Sequence, residues 1–142
     1  MSENDQELFN LAMSDESRPL MYAVKKHIDE NVAPITEEFF ALNEDKEDRW
    51  TWHPRQMELL DGAKAKAKES GLWNFFLPDD ETGQGLNNLD YAYIAAELGK
   101  YALASESLNC SAPDTGNMEV LERVGTPEQK DKWLTPLLNG EI

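Results

Sequence analysis

Gly125-Thr126-Pro127-Glu128-Gln129-Lys130, running on to Trp133-Leu134-Thr135-Pro136-Leu137-Leu138-Asn139-Gly140, is the stretch that decides the fold. Thr126 and Gln129 have the spacing of a capping box. There the threonine hydroxyl accepts the Gln129 amide N–H, and the glutamine side chain reaches back to the Thr126 N–H. Pro127 falls at the first helical position, where its fixed φ suits a helix and its missing N–H costs nothing. Trp133, Leu134, Leu137 and Leu138 then recur at helical spacing. The segment is a helix with a written start, and Pro136 is expected to end or kink it.

The same grammar repeats toward the N-terminus. Ala102 to Val124 reads as helical but broken at Pro113, with Asp114 as N-cap of a second half carrying Met118, Val120, Leu121 and Val124. Asn87 or Asn88 opens a helix through Leu89, Ala92, Tyr93 and Ala96, closed by Gly99. Pro54, just after Trp50-Thr51-Trp52-His53, opens another with Met57, Leu60, Ala63 and Ala67 on one face. That helix ends at Gly71, and Leu72 stands where a helix-end apolar contact is common. Ser17 and Pro19 suit an N-cap and a first turn, ahead of a stripe of Leu20, Met21, Val24, Ile28 and Val32. Pro34 interrupts it, and Ile35, Phe39, Phe40 and Leu42 continue on a second helix. Glu44 to Arg49 reads as a solvated connection, and Leu72 to Pro78 as a buried extended segment leading into the loop Asp79 to Gly85. The expectation is an all-α bundle of about six helices. Residues 1–16 are expected to form a flexible N-terminal segment and residues 17–142 one helical domain.

Charge narrows the function classes. The 142 residues carry 28 acidic and 13 basic side chains, a net charge of -15. Such a surface repels a nucleic-acid backbone and an anionic membrane. A single cysteine, Cys110, cannot close an internal disulfide, which fits a reducing compartment. No apolar run approaches membrane-spanning length. The acidic start, Met1-Ser2-Glu3-Asn4-Asp5, matches neither a signal peptide nor an arginine-rich transit peptide, so a cytoplasmic location is expected.

No constellation of residues here would carry a reaction by itself. His27 and His53 lie far apart without metal-ligand companions and read as packing residues. Cys110 has no partner or base near it in sequence and reads as a small core residue. Gly83-Gln84-Gly85 lacks the preceding strand and the third glycine of a dinucleotide fingerprint and reads as a turn. Asp79-Asp80-Glu81 lacks the spacing of an EF-hand loop and also reads as a solvated turn.

Two stretches carry a family resemblance. One is Gly71-Leu72-Trp73-Asn74-Phe75-Phe76-Leu77-Pro78, followed by Gly83-Gln84-Gly85-Leu86 and Ala95-Ala96-Glu97-Leu98-Gly99. The other is Asn109-Cys110-Ser111-Ala112-Pro113-Asp114-Thr115-Gly116-Asn117, leading into the capping box and Gly140. Together they resemble the N-terminal helical domain of acyl-CoA dehydrogenases. The second stretch is similar to the branch whose long eukaryotic members carry an upstream phosphotransferase-like domain.

The resemblance implies a flavoenzyme that removes hydrogens from the α and β carbons of an acyl-CoA thioester, with FAD as cofactor. It also implies a homo-oligomeric assembly and electron-transferring flavoprotein as a partner, docking on an apolar patch near Met21 or Phe40. Family members continue into a β-domain and a C-terminal bundle that supply the flavin contacts and the catalytic glutamate. This chain is therefore expected to bind no flavin and to be inactive alone, leaving apolar surfaces that favour self-association. What it is expected to contribute is the deep wall of an acyl pocket at Asn109, Ala112, Pro113 and Gly116, with small side chains leaving room for longer or branched chains. A stand-alone helical interaction module is the alternative.

Overall fold

The computed structural model describes residues 11–43, 48 and 50–142. The described residues contain helices and turns and no strand. In chain order the helices are α1 (Arg18–His27), α2 (Ala33–Ala41), α3 (Pro54–Glu69), α4 (Asn88–Leu98), α5 (Ala104–Ser107), α6 (Asp114–Val124), α7 (Pro127–Gln129) and α8 (Thr135–Asn139). Two π-helical turns, Ile28–Val32 and Lys130–Leu134, join α1 to α2 and α7 to α8. Counting each joined pair as one rod, the described residues form six helical units, in line with the helical-bundle expectation.

Each π-turn ends two residues before a proline, Pro34 or Pro136. Proline has no N–H to give the carbonyl four residues back, and its ring crowds that carbonyl. Here the backbone widens by one residue, so that the Ala33 N–H reaches the Ile28 carbonyl and the Thr135 N–H reaches the Lys130 carbonyl. Pro34 therefore does not interrupt the first rod, and Pro136 does not end the last one. The expected breaks are absorbed within continuous helical paths.

The helix ends follow local chemistry, with three corrections. Thr126 and Gln129 form the expected capping box, and Asn87 accepts the Asp90 N–H at 2.8 Å. At the end of α3, the Leu72 N–H bonds the Ala67 carbonyl and the Gly71 N–H the Lys68 carbonyl, with Gly71 at φ +69. This is a Schellman end. Asp114, however, is the first residue of α6 rather than its cap, and Pro113 precedes it. Ser17 gives α1 no side-chain cap, because its hydroxyl is drawn to Asp90. His53 proves to be the N-cap of α3: its ring Nδ1 accepts the Arg55 N–H at 3.0 Å while Gln56 Oε1 accepts the His53 N–H.

Leu72 to Pro78 is buried as expected, with Phe75 and Leu77 wholly enclosed, but it is not extended. Asn74 at φ +61 folds the segment into turns, closed by the Leu77 N–H on the Asn74 carbonyl. The core lies between this segment, the first rod and α3 to α6, with Val24, Val32, Ile94, Leu108 and Met118 fully buried. Gly83 is dictated by a close approach, since any Cβ there would fall on the Leu77 carbonyl. Of the N-terminal segment, residues 1–10 lie outside the described residues, whereas Met13 is buried and Ser14 is bonded into the bundle. The connection expected over Glu44 to Arg49 is likewise outside the described residues except for Asp48.

Asp90 ties the chain start to α4. Its buried carboxylate accepts from the Ser14 N–H at 2.8 Å, the Ser14 hydroxyl at 2.7 Å, the Ser17 hydroxyl at 2.9 Å and Asn87 Nδ2 at 2.9 Å. These donors, the Ser14 backbone first, hold its carboxyl below the ordinary value. Asp90→Ala leaves several partly buried donors unmet and is expected to lower unfolding free energy by about 1–2 kcal/mol in urea titration. A change under about 0.5 kcal/mol would mean the cluster is not a structural tie.

Candidate functional site

The expected pocket residues sit where α5, α6 and the last rod converge. Leu108 to Pro113 links α5 to α6, and the Ala112–Pro113 peptide is cis. Asn109 lies at φ +59, in the left-handed region that asparagine tolerates better than most residues. Its Nδ2 donates to Asn74 Oδ1 at 2.6 Å and to the Leu137 carbonyl at 2.9 Å. Asn74 in turn donates through Nδ2 to the Leu138 carbonyl at 2.8 Å and through its backbone to the Leu108 carbonyl at 3.2 Å. Two left-handed asparagines, 35 residues apart, thus clasp each other and the end of α8.

That end is satisfied from three directions. A helix leaves its last carbonyls without intrahelical partners. Trp73 Nε1 gives the Leu138 carbonyl a second bond at 2.7 Å, and Lys68 Nζ donates to the Asn139 carbonyl at 2.7 Å. The Lys68 ammonium also lies 4.3 Å from the Trp73 ring centre. Gly140 turns the chain at φ +70, so close to the indole that a Cβ would come within 2.7 Å of Trp73 Cζ2.

The other three expected residues have a different situation. Ala112, Pro113 and Gly116 are exposed, and nothing lies within 4 Å of where a Gly116 Cβ would be. One turn farther along α6, an open apolar groove of about 410 Å³ is lined by Asn117, Val120, Leu121, Trp133 and Leu137. Its back is fixed by the Asn109 bond to Leu137. None of the four expected residues lines this groove: Asn109 reaches it only through its bond to the Leu137 carbonyl, and Ala112, Pro113 and Gly116 lie on the outer surface. Val120 and Trp133 have outward faces, although their helical spacing reads the same as core.

His27 and Cys110 are core groups. Ser107 donates its hydroxyl to the Ala104 carbonyl at 2.8 Å, so it accepts from His27 Nε2–H at 3.1 Å. The other ring nitrogen, Nδ1, lies 3.4 Å from Asn31 Nδ2 and accepts there. The ring is held neutral, and burial lowers its pKa. Burial pushes the Cys110 thiol up to about 12, the opposite of what a nucleophile needs. Among the described residues no group of three or more histidine, cysteine or carboxylate side chains could hold a metal ion.

A family model described as acyl-CoA dehydrogenase, N-terminal domain, matches residues 14–141. The chain belongs to the acyl-CoA dehydrogenase family. It is 43% identical over 135 residues to acyl-CoA dehydrogenase family member 10 of Mus musculus, covering 92% of this chain and 12% of that protein. It is 44% identical over 132 residues to acyl-CoA dehydrogenase family member 11 of Gallus gallus, covering 91% of this chain and 16% of that one. A solved Mycobacterium abscessus structure described as an acyl-CoA dehydrogenase superimposes with a TM-score of 0.83 at 43% identity. It aligns with 92% of this chain and 33% of its own. The chain thus spans a small part of the curated relatives it matches.

Acyl-CoA dehydrogenases imply FAD in the longer proteins of the family. A flavin pyrophosphate calls for gathered cationic or backbone donors. Among the described residues Arg18, Arg55, Lys64, Lys66 and Lys100 are each bonded to a carboxylate, on a chain of net charge -15. No helix among the described residues is long and apolar enough to cross a membrane.

The neutral, buried His27 makes stability depend on pH. Its folded pKa lies below the ordinary 6.5, so the unfolded chain takes up the proton first. Unfolding free energy is expected to be full above that value and to fall as pH drops through the window beneath it. Urea unfolding from about pH 7 to 5 should show this slope, and His27→Gln should flatten it. An equal slope in the variant would assign the dependence elsewhere.

Proposed function

We propose that this chain serves as the N-terminal helical domain of a flavin-dependent acyl-CoA dehydrogenase that desaturates acyl-CoA thioesters at the α and β carbons. The observation that carries the proposal is the match over residues 14–141, joined to a surface at the start of α6 whose small side chains face open space. In this reading Asn109, Ala112, Pro113 and Gly116 contribute the deep wall of the acyl pocket. Ala112, Pro113 and Gly116 would border the acyl tail, and Asn109 would hold the wall in place through Leu137 and Asn74.

The absence of bulk at Ala112 and Gly116 favours longer or branched acyl chains. Each methylene buried against such a wall contributes roughly 0.8 kcal/mol, enough to bias chain length. The net charge of -15 disfavours the CoA phosphates, so the contact would be with the tail. FAD and the catalytic base would come from other parts of the enzyme, and this chain alone would be inactive. Electron-transferring flavoprotein is proposed as the electron acceptor, a homo-oligomer as the working assembly and the cytoplasm as the compartment. Of the two residues considered for the acceptor's patch, Phe40 is exposed while Met21 is half-buried against the core.

Two measurements test the proposal. The purified 142-residue chain should show no visible flavin absorbance, and a stoichiometric flavin spectrum would overturn the division of labour. In the longer enzyme, Ala112→Phe should shift the ratio of kcat/KM values toward shorter acyl chains by about tenfold. Unchanged chain-length selectivity would remove Ala112 from the wall.

A further inference from the structure

Asn139 is the one asparagine in the sequence that a glycine follows. It is exposed at the end of α8, and Gly140 beyond it turns the chain at φ +70. Glycine leaves its backbone nitrogen open to approach, because no Cβ stands beside it. The asparagine amide carbon lies at the chain spacing that closes a five-membered ring on that nitrogen. Asp61-Gly62 repeats the pattern with an acid, but it lies inside α3, where the helical ladder on both sides holds the backbone.

The peptide joining Asn139 to Gly140 has a cationic partner. The Lys68 ammonium donates to the Asn139 carbonyl at 2.7 Å. That carbonyl and the Gly140 N–H belong to one conjugated unit. A cation on the oxygen therefore stabilises the anion formed when the nitrogen gives up its proton. The other contacts are ones that an exposed helix end can release. The Gly140 N–H bonds the Leu137 carbonyl at 3.0 Å in the last turn, where helices fray. Asn139 Nδ2 donates to the Glu141 carboxylate at 3.0 Å, also at the surface.

We infer that Asn139-Gly140 is a site of spontaneous self-modification, where Lys68 promotes closure of the Asn139 side chain onto the Gly140 nitrogen. Hydroxide takes the Gly140 N–H proton, and the nitrogen forms a bond to Asn139 Cγ. The Cγ–Nδ2 bond then breaks, and Nδ2 takes a proton from water and departs as ammonia, which returns the hydroxide. Water opens the resulting succinimide at either carbonyl, leaving an aspartyl or an isoaspartyl link. The isoaspartyl link adds a backbone carbon to a turn without slack. A Cβ on Gly140 would already come within 2.7 Å of Trp73 Cζ2, and the Glu141 N–H is bonded to the Pro136 carbonyl at 2.9 Å. Conversion thus puts a carboxylate beside Glu141 and loosens α8 where Trp73 and Lys68 hold it.

The test holds the purified 142-residue chain in warm, mildly alkaline buffer, either folded or unfolded in urea. Its tryptic peptides are followed by mass spectrometry and an isoaspartate assay. Residues 133–142 form one such peptide, in which Asn139 carries the only side-chain amide. The folded chain is expected to convert this peptide and to release ammonia. Lys68→Met keeps the length of the side chain, removes its charge and should slow conversion of the folded chain about fivefold. In urea, where the Lys68 contact is lost, the two chains should convert at one rate. Three results would each overturn the inference. They are a folded chain that stays unconverted while the unfolded chain converts, a folded Lys68→Met chain as fast as its parent or faster, and an equal gap between the two chains in urea.

Discussion

The end of α8 depends on two asparagines that each adopt a backbone conformation costly to most residues. Asn74 and Asn109 share one amide–amide hydrogen bond, and between them they take up the carbonyls of Leu137 and Leu138. Because Asn74 also holds the Leu108 carbonyl, a single cluster fixes three segments: the turn after α3, the link from α5 to α6, and the last rod. Partly buried polar groups are expensive when unmet and directional when met. The clasp therefore specifies orientation in a way that the surrounding leucines cannot. The candidate pocket wall begins at one of its two members.

Prolines shape the bundle differently from what a breaker rule suggests. Pro34 and Pro136 each sit inside a helical path, and each is preceded by a single widened turn. The sequence signal for a break is real, since each ring removes a donor and crowds a carbonyl. The tertiary context then decides whether the helix stops or accommodates. Here Val32 and Phe39 on either side of Pro34 are both core residues, and Leu134 ahead of Pro136 is buried too. Continuing the rod keeps these side chains packed.

Local rules read well wherever the partners are near in sequence. The capping box at Thr126, the Asn87 cap and the Schellman end at Gly71 all follow from residues a few positions apart. Two of the misreadings share one cause, a partner distant in sequence. Ser17 resembles a cap, but its hydroxyl is taken by Asp90, 73 residues away. Leu72 to Pro78 reads as an extended run because the Asn74 turn answers to Leu108, Leu138 and Asn109. His53 is an uncommon cap and reads as a packing residue, although Gln56 stands three positions on. At the candidate site, the smallness of Ala112 and Gly116 is visible in sequence. The outward faces of Val120 and Trp133 are not, since an apolar residue at helical spacing carries no label for core or groove.

The widened turn at Ile28–Val32 has a consequence for register along the first rod. One added residue rotates everything on its N-terminal side by about 100° relative to an uninterrupted helix. Val24 faces the core on one side of that offset and Phe39 on the other, so the rod presents two differently phased stripes. Deleting a single residue from the turn would restore ideal geometry and still leave Val24 on the core face, because the residue lost is the one the wide turn absorbs. Away from that turn, the rod could be shortened without turning a stripe outward only in steps of about seven residues, two full turns.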